Sequence, residues 1–151
     1  MIILANIVWP ALYILARQFT WWAIALSLVI EFVALRVLAT GSWRRVFAAV
    51  VVGNFATAVL GYLTLPWITM AWEYALHLTV YQLIEVGAFN PFAWVASIVI
   101  ISAFSAFGEL LVISRVFKMT LRRKGWIYWW LANAATVAVA FITTMIWPVT
   151  V

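Results

Sequence analysis

Three long stretches of this chain contain no Asp, Glu, Lys or Arg: residues 46–72, 86–108 and 125–151, which are 27, 23 and 27 residues long. A helix needs about 20 apolar residues to cross the ~30 Å hydrocarbon layer of a bilayer, so each run is long enough to span. A fourth stretch, from Phe19 to Leu38, is equally apolar but carries Glu31 and Arg36. In lipid the backbone must satisfy its own polar groups, which leaves helices or closed barrels. The runs lack the alternating pattern of barrel strands. An all-α polytopic membrane protein follows, with four transmembrane helices expected near 19–39, 46–65, 92–117 and 125–147.

Composition excludes the soluble alternatives. Of the 151 residues, 69% are apolar and 9% charged, with a mean hydropathy of +1.15. A soluble domain carries about 25% charge, so this chain has too little polar surface to cover itself in water. A soluble enzyme, a disordered tail and a nucleic-acid module are thereby set aside. The absence of cysteine excludes disulfides, thiolate metal sites and thiol chemistry.

The net charge of +5 matters for where it falls. Arg36, Arg44, Arg45, Arg115, Lys118, Arg122, Arg123 and Lys124, eight of the nine basic residues, lie in or beside two short loops near 40–45 and 118–124. The positive-inside rule places both loops in the cytoplasm and both termini on the opposite face, as expected of a protein of a plasma or inner membrane. Trp21, Trp22, Trp67, Trp94 and Trp147 mark the outer interface; Trp43, Trp126, Trp129 and Trp130 are expected to form an inner aromatic belt. Arg122-Arg123-Lys124 also offers a seat for an anionic lipid headgroup.

Residues 1–18 and 66–91 are expected to be outer-face interfacial segments within one membrane domain covering 1–151. Met1 to Ala16 is apolar but short, and lacks the charged start and cleavage site of a signal peptide. A surface-lying or re-entrant helix suits it better than a fifth span. The outer connection holds Glu73, His77, Gln82 and Glu85 among aromatic and aliphatic residues without one clean polar stripe. Glu73 and His77 share helical spacing, a weak metal or acid–base signal that reads more simply as a surface pair. With His77 the sole histidine, two-histidine haem ligation within one chain is excluded. Neither a phosphate-binding loop nor a metalloprotease motif appears, and no cofactor, metal or enzymatic activity is expected.

Shifting the chain by 79 residues lays its halves on each other. Val33, Arg36, Val37, Arg44, Asn54, Ala56 and Thr57 meet Val112, Arg115, Val116, Arg123, Asn133, Ala135 and Thr136. Asn, Thr and Arg are scarce here, so these polar matches carry the weight. Two tandem hairpins are expected, about 19–65 and 92–147, related by a pseudo-twofold axis along the membrane normal. That is a parallel repeat. The same shift aligns small residues at every fourth position, Gly53, Thr57 and Gly61 on Ala132, Thr136 and Ala140. Such faces let helix backbones approach closely, and Ser105 and Gly108 are positioned to receive them.

Four polar side chains fall near the membrane midplane. Glu31 and Glu109 each precede the inner loops by nine residues, and Asn54 and Asn133 follow Arg45 and Lys124 by nine. At ~1.5 Å per residue all four lie ~13 Å deep. An ionised carboxylate there costs several kcal/mol, so each Glu needs a proton or a partner such as Arg36 or Arg115. The repeat slips at this point. Arg36 follows Glu31 by five residues, but Arg115 follows Glu109 by six, which rotates the second Glu by about 100° unless a bulge compensates.

Two functions fit. The leading expectation is a non-enzymatic scaffold or accessory subunit that works by helix packing, as a homo-oligomer or with other membrane subunits. In it, Glu31–Asn54 and Glu109–Asn133 hydrogen bonds hold each hairpin together. The alternative is a small proton- or cation-linked transporter or channel, with Glu31 and Glu109 titrating and the asparagines as neutral ligands.

Overall fold

The computed structural model describes Ile14, residues 17–76 and residues 91–146. Four helices account for most of this chain: α1 (Trp21–Leu38), α2 (Trp43–Leu76), α3 (Pro91–Leu111) and α4 (Gly125–Ile146). A π-helical turn, Val112–Val116, extends α3. All four are long and apolar enough to cross a bilayer. Residues 1–13, 15–16, 77–90 and 147–151, with His77, Gln82, Glu85 and Trp147 among them, lie outside the described residues.

The helix boundaries follow local chemistry. Thr20 precedes α1 in an extended conformation, and its hydroxyl bonds back to the Arg17 carbonyl at 2.7 Å. Pro91 is the first described residue of α3, and its fixed φ suits the first turn of a helix. Between α3 and α4 the chain passes through two left-handed residues, Lys118 at φ 48° and Lys124 at φ 62°. Gly125 then starts α4, because a Cβ there would stand 2.9 Å from Leu121 Cβ.

One boundary differs from expectation. The stretch of α2 long and apolar enough to cross ends at Thr64, as expected, but the helix itself runs on through Pro66 to Leu76, so at ~1.5 Å per residue its 34 residues reach about 51 Å. The first part of the outer connection is thus helical and continuous with α2. Proline costs one helical hydrogen bond and crowds the preceding turn, a loss that membrane helices tolerate where neighbours compensate.

The helices form a four-membered ring. α1 packs on α2 and α4, and α3 packs on the same two, which leaves α1 and α3 across the bundle from each other. Near the basic loops the ring closes on an apolar core that includes Leu35, Leu38, Val46, Val50, Ile113 and Trp129. A smaller cluster of Ile14, Ile101, Val137 and Ala140 packs between α3 and α4 toward the other end.

The two basic loops are joined. Ala39 and Leu121 form an antiparallel bridge, and the Arg122 N–H donates to the Leu38 carbonyl at 2.9 Å. Arg45 donates to the Phe117 carbonyl. These bonds lock the hairpins together at one end.

Trp129 departs from the expected inner belt. Trp21, Trp43, Trp67 and Trp126 are exposed on the bundle surface, but Trp129 is 0% exposed and sits in the core. It lies four residues before Asn133 on the inward face of α4, so helical periodicity overrides the interfacial preference of tryptophan.

Candidate functional site

Glu31 on α1 and Glu109 on α3 face the bundle interior from opposite corners, at 1% and 2% exposure. Each meets the asparagine of the next helix. Asn54 Nδ2 donates to Glu31 Oε2, and Asn133 Nδ2 donates to Glu109 Oε2 at 2.9 Å. Both asparagines also donate to the carbonyl one turn back, Asn54 to Val50 at 3.0 Å and Asn133 to Trp129 at 3.3 Å. Those second bonds orient the carboxamides toward the carboxyls.

A second set of contacts crosses between the hairpins. Thr57, one turn after Asn54, places its hydroxyl 3.4 Å from Glu109 Oε1 while bonding to the Gly53 carbonyl at 3.0 Å. Thr136, the counterpart after Asn133, lies within hydrogen-bonding reach of Glu31 and donates to the Asn133 carbonyl at 2.8 Å. Each carboxyl therefore meets an asparagine of its own hairpin and a threonine of the other.

Small residues make this closeness possible. A Cβ on Gly53 would lie 3.3 Å from Glu109 Cγ, and one on Gly108 would lie 2.7 Å from Thr57 Cγ2. Gly61, Thr136 and Ala140 are likewise buried, and Ala132 is half-buried. The small-residue faces are thus engaged within this one chain.

The polar groups border open space. Glu31, Asn54, Thr57, Glu109, Asn133 and Thr136 all line a cavity of about 350 Å³. It reaches Gln18 and Phe19 at the end of the bundle away from the basic loops, and no described lining residue is basic. Compared with known proteins, the chain matches no family model, no curated protein and no solved structure.

The other sequence candidates lie elsewhere. Arg36 donates to the Gly41 carbonyl at 2.8 Å, and Arg115 is exposed within the π turn, so neither pairs with a carboxyl. The side chain must cover five or six residues of helix to reach the Glu, and the loop carbonyls are nearer. Arg122, Arg123 and Lys124 follow the loop bridge, all three exposed at the surface of the basic end. Glu73 belongs to the far end of α2.

Ser27 and Ser105 also line the cavity, and sequence comparison at a shift of 79 does not pair them. Upstream of the π turn the matching shift is 78, which aligns Ser27 with Ser105 and Glu31 with Glu109. A change of offset in the repeat is the signal that finds them.

Proposed function

We propose that this chain is an integral membrane protein that binds a proton or a cation between Glu31 and Glu109, as a small transporter or channel. One observation carries the reading: every polar group at the midplane opens onto the same cavity. Hydrogen bonds that merely fasten helices need no cavity beside them, and intramembrane carboxyls facing a cavity mark ion and proton pathways. The bundle's apolar core and joined loops close the site on the basic side.

The scaffold reading drew on the small-residue faces as surfaces for other helices. Gly53 and Thr57 pack on Glu109 and Gly108 of the same chain, as expected of the third span, so these contacts are not left for a partner and lend that reading less support. Two tandem hairpins remain the best account of the architecture. The cyclic order of helices, the mirrored Asn and Thr contacts, and a π turn at the one-residue slip all support it. We further infer cytoplasmic basic loops in a plasma or inner membrane, with anionic lipid near Arg122, Arg123 and Lys124.

Purified protein in liposomes tests the function. Flux driven by a pH or monovalent-cation gradient is expected from wild type and is lost in the E31Q/E109Q variant, because Gln cannot titrate. Absence of flux from wild type under both gradients favours the packing subunit instead.

A further inference from the structure

The cavity does not end at its polar floor. Phe19, Phe55 and Ala58, which line it, also line a second apolar groove of about 320 Å³ with Val59, Tyr62 and Leu63. Phe55 and Tyr62 are 71% and 72% exposed on the flank of α2, a surface that faces acyl chains in a helix crossing the bilayer. The chamber that holds the two carboxyls thus adjoins an apolar trough on the flank of α2, with three residues lining both. An inorganic ion needs the first part and has no use for the second.

We propose that this joined space binds a protonated alkyl amine, which enters sideways from the bilayer. The inference rests on the cation-binding reading of Glu31 and Glu109 and names the class of cation. Its ammonium group sits between the two carboxyls and its hydrocarbon chain lies along Phe55 and Tyr62. Charge complementarity selects the head, because two carboxyls and no described basic residue line the chamber. Hydrogen bonding refines that choice. An ammonium carries three donors and no acceptor, and the chamber is rich in acceptors: Asn54 and Asn133 spend their amide N–H groups on the carboxyls, leaving their Oδ1 atoms for a donor. Burial of the chain is favourable relative to water but gains little relative to lipid. The head therefore decides specificity, and the trough decides the route.

Dodecylamine binding to the purified protein in nanodiscs tests this, with empty nanodiscs subtracted for partitioning. Saturable binding near one per chain is expected. Dodecanol, which keeps the chain and lacks the charge, should bind at least about tenfold more weakly, and so should methylamine, which keeps the charge and lacks the chain. E31Q/E109Q should abolish saturable binding. Leu63→Trp crowds the trough at a residue that does not line the chamber, and should weaken amine binding at least about tenfold while leaving pH-driven flux. Thermal melting of both variants establishes that they fold. Equal binding of dodecylamine and dodecanol, equal binding of methylamine, or undiminished binding in a folded Leu63→Trp variant overturns the proposal. Proton or inorganic-cation flux without saturable amine binding removes the amine and keeps the cation site. Loss of both removes the site's functional reading altogether.

Discussion

Gly108 of α3 lies against Thr57 of α2 so closely that a single methyl on the glycine would stand 2.7 Å from Thr57 Cγ2. Real side-chain carbons do not approach that far, so alanine at 108 must push α2 and α3 apart or rotate Thr57. Thr57 is also the residue whose hydroxyl reaches Glu109 across the hairpins. Packing and polar contact are therefore set by one side chain.

Gly108→Ala is expected to lower stability by about 1–3 kcal/mol, the usual cost of overpacking a filled interior. Thermal melting in detergent measures it. Gly53→Ala should be milder, because its Cβ would meet the flexible Glu109 Cγ at 3.3 Å. Equal stability of Gly108→Ala and wild type would mean that the two helices are farther apart in the bilayer.

The carboxyls separate by substitution type. Glu31→Gln keeps the size and an acceptor for Asn54, so its stability should change little. Glu31→Leu leaves Asn54 Nδ2 without its carboxyl acceptor and should cost about 1–3 kcal/mol. Glu109→Leu should cost about as much, because each carboxyl meets one asparagine and one threonine. Melting temperatures of the four single variants check the order, and a Gln variant as unstable as its Leu counterpart contradicts it.

Much of this was legible in the chain because depth in a membrane helix is a matter of counting. Three runs without charge and a fourth apolar stretch located the helices, and nine-residue spacings brought Glu31, Asn54, Glu109 and Asn133 to one level. What counting did not yield was the direction each side chain takes. Trp129 carries an interfacial residue type on an inward face. Arg36 had a carboxyl within a turn and a half but turned to the nearer Gly41 carbonyl. Thr57 and Thr136 read as packing residues, yet their hydroxyls complete the site. The cavity depends on how four helices leave space between them, which no single-helix pattern encodes.

Topology is testable without disturbing any native cysteine, since the chain has none. Single cysteines at Ser42 and Thr120, both exposed in the basic loops, should react with a membrane-impermeant maleimide only from the cytoplasmic side. One at Tyr74, exposed near the far end of α2, should react only from the opposite side. Reversed labelling would discard the charge-based orientation.

The π turn makes the sharpest prediction. Six residues separate Arg115 from Glu109, against five between Arg36 and Glu31. In a continuous α-helix the extra residue would turn Glu109 by about 100° and carry it out of reach of Asn133. A π turn absorbs one residue by closing i→i+5 bonds instead of i→i+4, and Phe117 N–H donates to the Val112 carbonyl at 3.2 Å in that pattern. Ser114 lies exposed within the turn, its hydroxyl bonded only to the Leu111 carbonyl at 3.3 Å. Deleting Ser114 should let Val112–Val116 close as ordinary α-helix, with Glu109 still facing Asn133 and the melting temperature changed by only a few degrees. Deleting Val33, also exposed but within the regular α1 helix, offers no such relief. It rotates Glu31 by about 100° relative to the loop, separates it from Asn54 and should prevent stable folding. Purification and melting of the two deletion variants side by side decide the matter: equal damage from both would mean that the π turn holds no spare residue.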